Sequence, residues 1–330
     1  GWFCSAVEAL RDVCGKFNSH NYAWSYNHPF LDVVSQEFVS VRTALAGDTP
    51  FFLGEFGDGS GIGAYYAAST ETYGRGLYIA SVVVNSFKAG AAGASYWPLH
   101  DVYYYQGSVE PGTGAGDNGG LMGMGLIGYK KDGAWSFRPS YYAYGLLCNY
   151  IPFGSQLYNI TGDTDHVVDT IAAKTPDGRW SVIAVNRSGA EQTLNISTGE
   201  AVGTMLNRYL FTESALPTDG TMIAASGRVA PADGVYSFTV PANSFVVLSS
   251  IGMSEQDMTV ETATETEPAT EPPVSATEPE TVDSVSDTAT EATSGGCKSS
   301  FAGAAVIPAL LTTVGAGVAT GKRKKARDNA

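Results

Sequence analysis

Residues 51–58 read FFLGEFGD, an apolar run that ends by presenting one carboxylate, Glu55, between glycines and an aromatic ring. A strand with one wet face alternates polar and apolar side chains, whereas this run needs cover on both faces, the habit of parallel strands wrapped by helices. Barrels of such strands place their reacting groups at the carboxyl ends. The neighbouring sequence supplies the helices. Ser5-Ala-Val-Glu8 has the form of a capping box, and Ala6, Val7, Leu10, Val13 and Cys14 follow at helical spacing, with Gly15 as a stop. Residues 17–22 read as a short strand. Pro29 then opens a second helix with Phe30, Val33, Val34, Phe38, Val41 and Leu45 on its inner side and Gly47 at its end. Downstream, a third helix is expected over 73–89, a strand over 94–97, and, after a long loop, a helix over 140–150.

Helices and short apolar strands in alternation imply right-handed crossovers and a parallel sheet. Three strands cannot close a barrel. An eight-stranded (β/α) barrel takes about 250 residues, so residues 1–152 are expected to form strands six to eight of an incomplete TIM barrel, with some five strands upstream of Gly1. The alternative, an open doubly wound sheet, lacks a GxGxxG loop after any strand. Past Pro152 the pattern changes to alternating strands over 166–174, 179–186, 191–196, 203–211, 234–240 and 243–250, with turn residues between them. These predict an antiparallel β-sandwich over 153–252, its apolar face in Val182, Ala184, Phe245 and Val247. Its three Asn-x-Ser/Thr sequons, at Asn159, Asn186 and Asn195, need no more than chance to explain them.

The formal net charge of −14 is unevenly spread. Residues 254–296 hold eleven Asp or Glu and no Lys or Arg, in repeats such as TETEPATEPP. Such a segment buries too little apolar surface to offset chain entropy, so 253–297 is expected to be a disordered linker. From Cys297 onward, Lys298, Lys322, Arg323, Lys324, Lys325 and Arg327 face only Asp328, which leaves about −8 on residues 1–253. A body this acidic is a poor nucleic-acid binder and favours neutral ligands. Residues 301–321 are uncharged and are followed by KRKK, the pattern of a membrane-spanning stop-transfer segment within 298–330. The basic end then lies in the cytoplasm and the body outside, as in a single-pass cell-membrane protein. Pro308 and several glycines leave a buried helix or an Ala/Gly-rich tail as the alternative. The terminal charges argue against a cleaved lipid-anchor signal. A start on Gly without a signal peptide predicts, for an exported protein, that further sequence precedes it. Cys4, Cys14, Cys148 and Cys297 have no metal-site spacing, and no cofactor motif is present; Cys4 and Cys14 are read as buried thiols, with a bridge as the alternative.

The strand ends carry His20 and Tyr22 in SHNYAW, Glu55 in GEFG, and Trp97, His100 and Asp101 in SYWPLHD. In a barrel these ends converge on one face. A carboxylate, a hydrogen-bonding His and Tyr, and a tryptophan platform make a set suited to sugar binding and glycosidic-bond cleavage. At these residues the chain resembles a known group: residues 17–22, GEFG and GASYW look like the sixth, seventh and eighth strands of clan A retaining glycoside hydrolases, which include cellulases, xylosidases and arabinofuranosidases. RPSYYAYGLL resembles their last barrel helix, and the sandwich resembles their carboxyl-terminal β domain. The likeness spans roughly residues 5–252.

That resemblance implies that Glu55 is the nucleophile, that His20 and Tyr22 lie beside it, and that Trp97 floors the subsite of the reacting sugar, with His100 and Asp101 as further substrate contacts. The clan's acid/base carboxylate, within an Asn-Glu pair after the fourth strand, has no match in this sequence. Retaining chemistry needs two carboxyls about 5–5.5 Å apart, so the chain by itself is expected to be an inactive fragment of a poly- or oligosaccharide hydrolase. Asp58 and Asp101 are conceivable second carboxylates, but no spacing selects them. Against each assignment stands a plainer one: Glu55 as a solvated turn carboxylate, Trp97 as a core aromatic, His20 as a helix cap, Tyr22 as a strand aromatic. The tyrosines of 101–107, DVYYYQG, suit the rim of a sugar cleft. A non-catalytic carbohydrate-binding or adhesion protein is the rival reading. A structural stalk fits less well, because Glu55 and Trp97 fall at successive strand ends.

Overall fold

A computed structural model of the chain describes residues 2–58, 69–103, 121–129, 134–162, 167–197 and 204–258. The linker beyond 258, the apolar tail 301–321 and residues 104–107 of the tyrosine-rich loop lie outside these described residues. Among the described residues no helix is long and apolar enough to cross a membrane.

The first part follows the alternation read from the sequence: α1 (Trp2–Leu10), β1 (Phe17–Asn21), α2 (Leu31–Ala46), β2 (Phe51–Phe56), α3 (Tyr73–Lys88) and β3 (Gly93–Tyr96). The three strands form one sheet in the order β1-β2-β3, and both pairings are parallel. Its outer face rests on α1 and α2 through Phe3, Val7, Phe17, Val39, Ala46 and Phe51. Two expectations fail here. The helix runs over Trp2–Leu10, so Ser5-Ala-Val-Glu8 is internal and caps nothing; Phe3 packs edge-on against Phe17 and Phe51 at 6.1 and 5.8 Å. On α2, Phe30, Val33 and Val41, expected inside, are exposed, while Leu31, Asp32, Ser35, Val39 and Ala46 are buried. The polar members of that buried stripe hid it, and Ser35 satisfies its hydroxyl on the Leu31 carbonyl. Gly47 ends the helix as expected, its φ of +64° being of the kind glycine tolerates and its N–H bonding to the Thr43 carbonyl.

What was expected as one long loop after β3 contains short pairs: β4 (Val102–Tyr103) with β5 (Leu121–Met122), and β6 (Ile127–Tyr129) with β7 (Trp135–Phe137). Helix α4 (Pro139–Tyr150) follows, with Pro139 in its first turn and Arg138 extended before it. The strands after it are β8 (Gln156–Tyr158), β9 (Val168–Lys174), β10 (Trp180–Asn186), β11 (Gln192–Ser197), β12 (Leu206–Phe211), β13 (Gly227–Val229), β14 (Val235–Val240) and β15 (Ser244–Ser249). Six form an antiparallel sheet in the order β13-β12-β15-β10-β9-β8, and β11 pairs with β14 in a second sheet facing it.

The expected single apolar face is corrected to two. Val182 and Ala184 point into the sandwich with Val246 and Leu248, whereas Phe245 and Val247 point the other way, with Ile183 and Val185, onto α3 and α4. Strand β10 is buried at all seven positions because both its faces are covered. Helix α3 is buried continuously from Arg75 to Ser86, clamped between the parallel and antiparallel sheets. The expected linker 253–297 overlaps described structure at its start. Residues Glu255–Met258 form a short helix α5, held by the Arg228–Asp257 ion pair at 2.7 Å and by Arg179, which donates to the Met253 carbonyl at 3.1 Å.

Candidate active site

Strict alternation along β2 would aim Glu55 the same way as Phe51 and Leu53, into the apolar layer under α2 and α3. The register prevents this. Ser19 pairs with Leu53 but His20 pairs with Glu55, so Gly54 is the extra residue of a bulge. The bulge turns Glu55 to the face of His20 and Tyr22 and returns Phe56 to the buried side. The bulge is tightly packed: a Cβ on Gly54 would lie 3.1–3.2 Å from the Asn18 side chain, which would have to give by a few tenths of an ångström.

With Glu55 so aimed, the Tyr22 hydroxyl donates to its Oε2 at 2.8 Å, and His20 Nδ1 lies 3.2 Å from the same oxygen. The carboxylate keeps 30% of its side-chain surface in solvent and His20 keeps 50%. These three residues, from two adjacent strand ends, are brought together as the sequence suggested. Gly57 then leaves no freedom behind them: a Cβ there would strike the Tyr22 ring at 2.9 Å, its N–H bonds to the Asn21 carbonyl, and its carbonyl accepts from the buried Tyr78 hydroxyl at 2.7 Å.

Trp97 follows β3 directly, 38% exposed at the same end of the sheet, and its peptide bond to Pro98 is cis. Tyr96 before it is buried and ties that end to β2. Arg75, wholly buried on α3, donates from Nε and Nη2 to the Tyr96 hydroxyl at 3.1 and 2.8 Å and from Nη1 to Ser69 at 2.8 Å. The same Nη1 lies 3.4 Å from Asp58, which also accepts from the Ser69 hydroxyl. Burial pushes the Tyr96 hydroxyl to higher pKa, against the pull of Arg75, so it stays protonated and donates to the Met124 carbonyl. Sequence reasoning missed Arg75; nothing local distinguishes an arginine facing inward from one facing water.

Asp101 is corrected from substrate contact to structural anion. Its side chain is fully buried, and its two oxygens accept from Arg138 Nη1 and Nη2 and from the backbone N–H groups of Gly125 and Tyr129, all within 2.6–2.9 Å. No lone pair faces a cleft. Burial opposes the Arg138 charge, but bonds and charges from Asp101 and Glu71 more than offset it and raise its pKa. Arg138 was also missed, although its place before Pro139 at a helix start was visible in RPSYY. His100 is exposed, bonds through Nδ1 with the Asp101 carbonyl at 2.7 Å and meets Trp135 edge-on, with ring centres 5.7 Å apart. It lies on the segment that leaves β3, bridged to Ile127 of β6, and is not among the residues that contact Glu55. Asp58, like Asp101, is closed inside an arginine pair, so neither is a second reacting carboxylate.

Residues 154–248 match the family model described as the glycosyl hydrolase family 30 beta sandwich domain. No curated protein sequence matches the chain. Among solved structures, the catalytic domain of GH30 xylanase C from Talaromyces cellulolyticus is similar over 75% of this chain and 48% of its own, at 15% identity and a TM-score of 0.50. The GH51 arabinofuranosidase from Xanthomonas axonopodis pv. citri is similar over 75% of this chain and 55% of its own, at 12% identity and a TM-score of 0.51. The chain thus spans about half the length of these structures and shares their fold over most of its described part. The resemblance to clan A glycoside hydrolases noted in the sequence holds at the level of fold and of the sandwich domain.

Proposed function

We propose that Glu55 is the nucleophile of a retaining glycoside hydrolase, present here as the part of the enzyme that lacks the acid/base carboxyl. The observation that carries this reading is the Glu55 carboxylate, partly open to solvent at the exit of a parallel strand, with Oε2 held at 2.8 Å by Tyr22 and at 3.2 Å by His20. Both contacts fall on one oxygen, which leaves Oε1 for attack on the anomeric carbon. In the first step the C–O bond to the leaving group breaks as the Glu55–sugar ester forms, and the acid/base carboxyl protonates the departing oxygen; in the second, water activated by that group releases the sugar. Tyr22 and His20 fix the attack angle, and Trp97 packs on the C–H face of the reacting sugar.

With Asp58 and Asp101 buried in arginine pairs, the second carboxyl on this reading comes from outside the described residues. Taken alone the chain then does not hydrolyse glycosides, and the whole protein does. The similar structures are a xylanase and an arabinofuranosidase, so pentose-containing glycans are the substrates to test first. The acidic linker and the apolar segment 301–321 would hold this body outside a cell membrane, which carbonate extraction and protease shaving of the host cells would check. Incubating the whole protein with a 2-fluoro glycoside should add one sugar mass to the peptide containing Glu55, and Glu55→Gln should abolish both labelling and turnover. Wild-type turnover by Glu55→Gln sinks the assignment. A carbohydrate-binding protein without catalysis would bind glycan and leave Glu55 unlabelled.

A further inference from the structure

Trp135 on β7 leaves 52% of its surface in solvent, a costly place for an indole. It is also rigidly held. The Tyr129 and His100 rings meet it edge-on at 5.3 and 5.7 Å, one from the partner strand β6 and one from the segment that leaves β3. That segment and β6 are joined through the backbone: Leu126 and Ile127 donate to the carbonyls of Pro98 and Leu99, and Asp101 donates back to Ile127. The approach is close enough that a Cβ on Gly125 would lie 2.3 Å from the His100 carbonyl carbon. Beneath the aromatic group, the Asp101 carboxylate binds the Tyr129 N–H and the Arg138 guanidinium together, so a buried ion pair clamps the hairpin to the strand end that bears Trp97.

We propose that Trp135, buttressed by His100 and Tyr129, is a second stacking platform that binds a neutral glycan chain beyond the subsite floored by Trp97. The inference rests on the proposed glycosidase reading for the direction in which the chain runs. Trp97 and His100 are three positions apart, at most about 10 Å at the rise of an extended strand, and the Trp135 ring is one ring contact further on. Two platforms within that limit fall inside the reach of one oligosaccharide chain. A tryptophan face packs against sugar C–H groups, and a platform fixed before binding loses little entropy when the ligand arrives. Leu99, in the segment between Trp97 and His100, is itself 61% exposed and adds apolar surface there. The acidic body, about −8 over residues 1–253, selects against anionic polymers and leaves neutral glycans as the partner.

Affinity electrophoresis of Glu55→Gln protein through gels containing soluble arabinoxylan, soluble β-glucan or polygalacturonate tests this without turnover. The parent should be retarded by at least one neutral polymer and not by polygalacturonate. Adding Trp135→Leu, which keeps apolar bulk, should weaken retardation about five- to tenfold, the scale of one aromatic contact, and Trp135→Tyr should restore most of it. Equal retardation of the Trp135→Leu protein, or none of the parent by either neutral polymer, overturns the proposal. The two readings separate cleanly. Loss of binding in Trp135→Leu with Glu55 unlabelled by the fluorinated sugar keeps the platform and removes the nucleophile; equal binding with Glu55 labelled does the reverse.

Discussion

At the scale of single residues, the site depends on one hydrogen bond and one glycine. Replacing Tyr22 by Phe removes the donor to Glu55 Oε2; on the proposed glycosidase reading, turnover by the whole protein should fall while stability changes by only about 0.5–1.5 kcal/mol. Gly57→Ala should mimic that loss, because the new methyl group meets the Tyr22 ring at 2.9 Å and pushes it off the carboxylate; steady-state kinetics and thermal melts on both variants would separate the two effects. Asp169 offers a different test. Burial raises its pKa, against hydrogen bonds from Ser81 and Asn85, with Asp32 pushing the same way as burial and Lys88 against it. The folded protein therefore keeps this proton at pH values where the unfolded chain has lost it. Stability from Asp169 is full below the unfolded value of about 3.9 and declines as pH rises toward the folded value. Asp169→Asn, which cannot titrate, should lack that decline in a series of melting temperatures across mildly acidic pH.

The elements are held by arginines whose roles differ in cost. The Arg138–Asp101 pair that docks the β6–β7 hairpin has side chains at most 3% exposed. Arg138→Met strands a buried carboxylate and should cost about 3–5 kcal/mol. Glu71 also touches Arg138, at 2.7 Å, but its side chain is 52% exposed, so Glu71→Gln should cost under about 1 kcal/mol. Urea denaturation of both variants checks the contrast; equal losses would mean that Asp101 does not dominate the pair. The hairpin itself was within reach of sequence reasoning, because Asp132-Gly133 between IGY and WSF is a turn signal. The bulge at Gly54 was not. Bulges are a matter of register between two strands, and Gly54 reads equally well as a strand stop.

At the scale of the whole molecule, α3 and α4 pack on the outer face of the antiparallel sheet, and Phe211 is the centre of that contact, with ring centres 4.9 Å from Tyr73 and 4.7 Å from Phe245. A Cβ on Gly76 would strike the Phe211 ring at 2.4 Å, so helix and sheet meet without slack. Phe211→Ala should cost about 3–5 kcal/mol, and because one core crosses the junction, helical circular dichroism and tryptophan fluorescence should lose signal in a single coincident transition. Two separate transitions would show that the parallel-sheet part and the sandwich are energetically independent. Residues 153–258 expressed alone should aggregate, since Ile171, Ile183, Val185, Phe245 and Val247 would then face water.

The amino-acid sequence by itself determined the main helices and strands, the change from parallel to antiparallel sheet after Pro152, and Glu55 as the residue to watch, because hydrophobic period and turn chemistry are local properties. It also carried His20 and Tyr22, which sit at a strand end of readable position. Tertiary structure alone decided which way Glu55 points, that Asp101 is a buried anchor and not a sugar contact, that the sandwich sheet has two apolar faces, and that Trp135 is held between the Tyr129 and His100 rings. Each of those depends on register or on contacts between residues far apart in the chain, and neither leaves a mark in local composition.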